Sequence, residues 1–365
     1  MPVPRCRPAC RLLALLVLCA APTADGQTTL RLTDDATLDL TGGIQPRVGL
    51  GVEGADDTER FGLGLRRARL QFQLTLLERA GMEYDIDTTP GDLRSVDLFA
   101  FYDVSETVRV RAGRLPPAQP RGFVPTSYSR IDAVDRPVVD ERWAGGTLGS
   151  SGRDIALDLV ADLGGTEVQV TVHNGTGGFS RETDNFRESG SSGSVTRGSD
   201  VAAVALSAGV HRGGASGLAG GGFASVNARG SERTALDDVE RAYATAGAHL
   251  YWGERPGSQP VRVKLDAVGT RYEAVDGDRQ IAAGAGLFGA VRVVPHSELF
   301  GRAEAYWEDV DRGGDRVGTL GASYSASAAL GRDYRDLRLT LAYTVRQNPD
   351  GELGHLGVVQ GQIVF

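Results

Sequence analysis

Apolar and polar residues alternate with a period of two along most of this chain. "RLQFQLTL" sets Leu70, Phe72, Leu74 and Leu76 against Arg69, Gln71, Gln73 and Thr75. "MEYDID" sets Met82, Tyr84 and Ile86 against Glu83, Asp85 and Asp87. The rhythm recurs in "VRVRAG" (108–113), "VRVKLDA" (261–267) and "LRLTLAYTV" (337–345). Successive side chains of a strand point to opposite faces, so each segment predicts a strand with one apolar and one polar face. No stretch carries a convincing helical period.

About sixteen such segments are predicted. They begin near Thr37, Gly62, Ala80, Ser95, Thr107, Arg153, Thr166, Asp200, Leu218, Glu240, Pro260, Gln280, Ser297, Arg316, Arg335 and His355. Their connections alternate in length. "ER" (78–79), "VSE" (104–106), "DLGG" (162–165) and "PH" (295–296) are short, whereas 52–61, 116–152, 176–199 and 230–239 are long. Short turns at one rim and long loops at the other are the rhythm of a transmembrane antiparallel β-barrel. A soluble β-sandwich also alternates, but here the polar face repeatedly carries Arg, Asp and Glu. The apolar face gathers Tyr, Phe and Trp near segment ends, which suits lipid outside, water inside and aromatic girdles.

The last segment, "GHLGVVQGQIVF", puts Val359, Gly361, Ile363 and Phe365 on one face and Val358, Gln360, Gln362 and Val364 on the other. Such a strand is expected to pair with the first and remove the sheet edge, which hydrocarbon does not tolerate. Phe365 then lies at the short-turn rim on the lipid side.

No apolar run is long enough for a membrane-spanning helix. Arg5, Arg7 and Arg11, followed by the short apolar Leu12–Ala20 and then "ADGQ", read as a signal peptide over 1–26, cut before Gln27. A lipoprotein cleavage at Cys19 is disfavoured by the bulky Leu18 before it. Cys6, Cys10 and Cys19 all lie in this segment, so residues 27–365 must be held without disulfides. Removing 1–26 takes away three arginines and Asp25. That leaves 36 basic against 46 acidic residues, which argues against nucleic acid as a partner.

Several stretches resemble the phosphate-selective porin O/P family. They are "FGLGLRRARLQFQ" (61–73), "EYDID" (83–87), "VRAGRLPPAQPRGF" (110–123), "DERW" (140–143), "GRDIALDL" (152–159) and "VTVHNGTGG" (170–178), in the family's order over roughly residues 37–180. The resemblance implies a homotrimeric porin of sixteen strands, with the third outer loop folded into the pore and arginine-lined passage for anions. The chain departs from the family's lysine clusters, since Lys264 is its only lysine.

Arg67 and Arg69 share the inward parity of one segment, and Arg109 and Arg111 that of another. Side chains two apart on a strand stack roughly 7 Å apart, so these pairs form a ladder along a permeation axis. Guanidinium forks suit phosphate and carboxylate, and arginine rings serve anion pores. The alternative is a charge-balanced wall, because Glu83, Asp85, Asp87, Asp97 and Asp103 share the polar faces beside them. The proline-stiffened connection 116–152 is the natural constriction, with Arg130 and Arg142 as candidate pore-facing groups.

Other motifs read as structure. "DVDRGGD" (309–315) has Leu320 where a calcium loop needs Glu, so it and "VDGD" (275–278) are expected to be polar hairpins. "GLGLRR" precedes no helix and is no phosphate loop. The five histidines lack metal spacing, and "HN" (173–174) identifies no serine to act with. The expected function is passive diffusion of small hydrophilic solutes, with anions such as phosphate preferred, across a Gram-negative-type outer membrane. Neither catalysis nor a cofactor is expected. The rivals are a plugged barrel used for surface binding or as a scaffold, a barrel enzyme such as a lipid hydrolase, and a soluble secreted β-protein.

Overall fold

The computed structural model describes residues 27–53, 58–89, 93–148, 151–175, 205–214, 217–231, 241–274 and 279–365. The expected signal segment with its cysteines, the "VDGD" turn and nearly all of 176–199 and 230–239 lie outside the described residues. The first strands are β1 (Gln27–Thr33), β2 (Ala36–Glu53), β3 (Thr58–Leu76), β4 (Ala80–Asp87), β5 (Arg94–Ser105) and β6 (Val108–Leu115). After the long connection come β7 (Asp154–Asp162), β8 (Thr166–His173), β9 (Ala205–Gly213), β10 (Leu218–Ser231), β11 (Arg241–Trp252) and β12 (Val261–Ala274). The chain continues with β13 (Arg279–Val294), β14 (Ser297–Trp307), β15 (Asp315–Ser325), β16 (Leu337–Gln347) and β17 (Leu353–Val364).

Each strand from β2 onward pairs antiparallel with the next, and β17 returns to β2, closing a ring of sixteen. The seam runs from His355↔Val52 to Val364↔Gly43, and Gly42 and Phe365 exchange both backbone bonds (2.7 and 2.9 Å). The Phe365 ring lies against Gly42, on the outward parity of Ile363. All but two expected segments start within two residues of a barrel strand. The exceptions, Gly62 and Asp200, meet strands that begin at Thr58 and Ala205.

The seventeenth strand, β1, was not anticipated. It pairs with β2 from Gln27↔Thr41 to Thr33↔Ala36, extending the sheet beyond the point where β17 ends. The Asp34-Asp35 turn separates it from β2, and its short "TLRLT" alternation is masked by the polar residues around it.

The two faces of the sheet differ as the alternation requires. On β16, Leu339, Leu341 and Tyr343 are half exposed on the outside, while Arg338, Thr340 and Ala342 are 2% exposed within. Tyr102, Trp252 and Tyr324 project outward near the short-turn rim. Among the described residues no helix is long and apolar enough to cross a membrane.

Strand β3 changes parity halfway. Phe61, Leu63 and Leu65 face outward in its first half, and Leu70, Phe72 and Leu74 occupy the opposite parity later. The pairings Gln45↔Arg67 and Pro46↔Leu65 leave Arg66 as the extra residue of a bulge. A bulge re-aims its side chains, and here Arg66 joins Arg67 inside the ring.

The connection from β6 to β7 folds into the ring and carries a helix, α1 (Val138–Gly146), where no helix was expected. "VVDERWAGG" lacks an amphipathic stripe because several sides of the helix are covered. Trp143 packs edge-to-face on Phe223 (5.2 Å between centroids) and donates from Nε1 to Thr245 Oγ1 at 2.9 Å. Val139, Ala144, Tyr243, Tyr272 and Tyr306 complete this internal core. A second cluster sets Ala133 and Val134 of the loop against Phe288, Ala290 and Phe300. A short helix, α2 (Ala326–Ala329), follows β15 at the short-turn rim.

Candidate functional site

The inner loop is fastened to the ring by charge as well as by apolar packing. Asp132 bonds Arg262 Nη1 (2.5 Å) and Lys264 Nζ (2.7 Å), and Arg262 also holds Glu298 (2.8 Å). Asp135 bonds Arg66 (2.6 Å) and Arg47 (3.3 Å) from the opposite wall. Burial raises the proton affinity of both aspartates, but the neighbouring cations outweigh it and hold both below the ordinary carboxylate range. Asp140 on α1 forms no ion pair among the described residues. Burial, then Asp266 and Glu304 nearby, pushes its carboxyl well above the ordinary carboxylate range.

A third anchor straddles the barrel seam. Gln45 of β2 donates to Gln362 of β17 (2.8 Å) and to the Tyr128 carbonyl (3.2 Å). Gln362 donates to the Ser129 carbonyl (3.0 Å), and Arg338 to that of Ile131 (2.8 Å). These anchors tie the loop to β12, β16, β17, β2 and β3 and leave a cleft of about 320 Å³ against β3 to β8. Arg69, Glu83, Asp85, Asp97, Phe99, Arg111 and Arg153 line its wall side, and Arg121, Ser127, Tyr128 and Arg136 its loop side.

The six arginines singled out from the sequence are not brought to one place. Arg69 and Arg111 line the cleft. Arg69 bonds Asp85 (3.5 Å) and Asp87 (3.3 Å) and lies over the Tyr128 ring. Arg111 bonds Asp158 (2.7 Å through Nε) and lies over Phe99. Arg109 pairs bidentately with Asp103 (2.6 and 2.8 Å) over Phe101. Arg67 is buried on Gln45 Oε1 at 2.9 Å. Arg142, on α1, bonds Glu308 (3.1 Å) and Asp315 (2.9 Å). Arg130 stands among Arg255, Arg335, Glu254 and Asp333 in a short 3-10 turn, and burial followed by the two like charges lowers its proton affinity.

Side chains that the sequence did not single out complete the cleft. Arg153 forks onto Asp97 (2.8 and 3.0 Å). Arg136 is buried, its Nη1 bonded to the carbonyls of Gly122 (3.3 Å), Phe123 and Thr126 (2.9 Å). Arg121 bonds Glu254 (3.0 Å) and Glu167 (3.5 Å). The available signal for the anchors was that Asp132 and Asp135 are the only carboxylates between Arg121 and Pro137.

One inward row runs Glu167, His211, Gly221, His249 and Asp266 across β8 to β12. His211 Nδ1 meets His249 Nε2 at 2.9 Å above Gly221. A Cβ at Gly221 would strike the Val210 carbonyl and lie 2.9 Å from His249 Cε1. Gly221→Ala is therefore expected to cost about 1–3 kcal/mol, read as a lower urea midpoint of the folded barrel.

His173 is held by Asp154 (2.9 Å), both side chains buried, and its Nε2 meets no hydroxyl among the described residues. The "DVDRGGD" stretch is a turn in which Asp309 accepts from the Asp311 amide, and its Asp315 is held by Arg142 and Arg346. Among the described residues no three His, Cys, Asp or Glu side chains converge as a metal would require.

No family model matches the chain, and no curated protein does. Solved structures do match. An anion-selective porin from Comamonas acidovorans aligns at TM-score 0.70 and 13% identity over 91% of this chain and 100% of that one. OmpT, an outer membrane protein of Vibrio cholerae, aligns at 0.62 and 9% identity over 93% and 100%. The outer membrane channel DcaP of Acinetobacter baumannii aligns at 0.61 and 16% identity over 92% and 99%. The likeness is to the sixteen-strand barrel of these proteins.

Proposed function

We propose that the chain is a passive diffusion channel for small hydrophilic solutes in the outer membrane of a Gram-negative-type bacterium. The observation that carries this reading is a closed ring with an apolar outside and a charged inside, narrowed by an inward loop that leaves a lined cleft. Such a ring satisfies every backbone group without water, as crossing hydrocarbon requires. Solutes move down their own gradients, so no catalytic group is needed, and selectivity comes from width and field. The fold shared with outer-membrane porins and channels supports the same reading. Cleavage of residues 1–26 and assembly as a trimer belong to this proposal. One solved form of the Vibrio cholerae OmpT is a trimer.

A preference for anions such as phosphate draws on the arginine ladder and on the anion-selective porin of similar fold. Arg69, Arg109, Arg111 and Arg142 are each held by carboxylates, so the wall is charge-balanced and argues against a strong anion preference. In planar bilayers the purified chain is expected to give discrete current steps. In asymmetric potassium chloride the reversal potential should show no strong chloride preference. A strongly chloride-selective potential would restore the ladder.

The tight packing of the inner loop favours a second reading, a plugged barrel that binds partners or acts as a scaffold. Absence of current steps from correctly folded, heat-modifiable protein would select it.

A further inference from the structure

Glu83, Asp85 and Asp97 share the cleft wall with Arg69, Arg111 and Arg153, but the pairing among them is incomplete. Arg153 is taken up by Asp97, and Arg111 by Asp158. Asp85 and Asp97 are direct cross-strand partners, an arrangement that like charges disfavour. Arg69 is divided between Asp85 and Asp87. Asp85 is 8% exposed, yet its Oδ1 accepts no hydrogen bond from any described residue. Glu83 forms no ion pair with any described residue. A buried carboxylate oxygen without a donor is costly unless a ligand supplies one.

The loop side of the cleft offers the opposite charge. Arg136 is 6% exposed, and its Nη1 bonds carbonyl oxygens rather than a carboxylate. Its positive charge is thus solvated by dipoles but not neutralised by an ion-pair partner. A cleft of about 320 Å³ with incompletely paired carboxylates on one side and a guanidinium without a carboxylate partner on the other fits a small dipolar solute.

We propose that the cleft takes small zwitterions that carry an ammonium and a carboxylate, as amino acids do. The ammonium donates to Asp85 Oδ1 and Glu83, and the carboxylate faces Arg136. The binding is reversible, so no bond is made or broken, and weak binding at a narrow point raises flux without trapping the solute. This deepens the channel reading and rests on it.

Liposome swelling with the full-length protein tests the idea, using 4-aminobutyrate against erythritol, a neutral solute of the same carbon count. The zwitterion is expected to enter several-fold faster than erythritol. In Glu83→Gln, which breaks no ion pair, that ratio should fall toward one. Asp85→Asn should lower it as well, and serves if the first variant assembles poorly. Equal rates in the unsubstituted protein, or a ratio that both variants leave unchanged, would overturn the proposal while leaving the channel standing. Entry of neither solute would remove both the channel reading and this one.

Discussion

Arg262→Ala is expected to destabilise the folded barrel by about 3–5 kcal/mol, the cost of removing one partner from a buried charge pair. The guanidinium joins Glu298, which is 2% exposed, to Asp132 of the inner loop. Without it, Glu298 keeps a charge in a place where water cannot reach it, while Asp132 retains only Lys264. Removing both members of the pair, as Arg262→Ala with Glu298→Ala, should cost less than the two single changes added together. Urea unfolding of the detergent-folded protein, followed by tryptophan emission, reads these midpoints. Trp143 sits on the loop helix, so its emission reports loop release as well as global unfolding. An unchanged midpoint for Arg262→Ala would mean that the guanidinium does not bridge loop and wall.

Replacing residues 121–146 with a Gly-Ser linker is expected to raise the unit conductance several-fold. That segment includes α1 and the loop side of the cleft, and it fills the interior beside β10 to β17. Its removal opens the cross-section from the cleft to the whole ring. The same deletion uncovers Phe223, Tyr243 and Tyr272, so the widened barrel should also unfold at lower urea. Single-channel recordings measure the first effect. Conductance equal to that of the intact chain would show that residues 121–146 do not set the narrowest point.

The ring was legible because each of its strands obeys one local rule. A strand between lipid-like and water-like surroundings must alternate, and "LRLTLAYTV" or "VRVKLDA" has no competing pattern. The final strand was legible for the same reason, down to the outward parity of Phe365. The rule failed at Arg66-Arg67, where a bulge inserts one residue and turns both arginines inward. Two adjacent charges in an alternating segment were the available sign. It also failed for α1, because an enclosed helix is stabilised by neighbours distant in sequence, such as Phe223 and Thr245. The ladder arginines were placed on the correct strands, and the charge-balanced alternative named the carboxylates that Arg69 and Arg109 meet, but other pairs were not predicted. Arg111 with Asp158, and Arg142 with Asp315, are tertiary pairs separated by dozens of residues or more. Periodicity within a strand carries no information about them.

Gln362 and Arg338, which hold the carbonyls of Ser129 and Ile131, belong to β17 and β16, the hairpin that closes the ring onto β2. A nascent barrel that still lacks its final hairpin has nowhere to lodge those carbonyls. Biogenesis therefore has a built-in order, in which the gate acquires its resting place only as the wall is completed. A half-assembled chain cannot already have the permeability of the finished one.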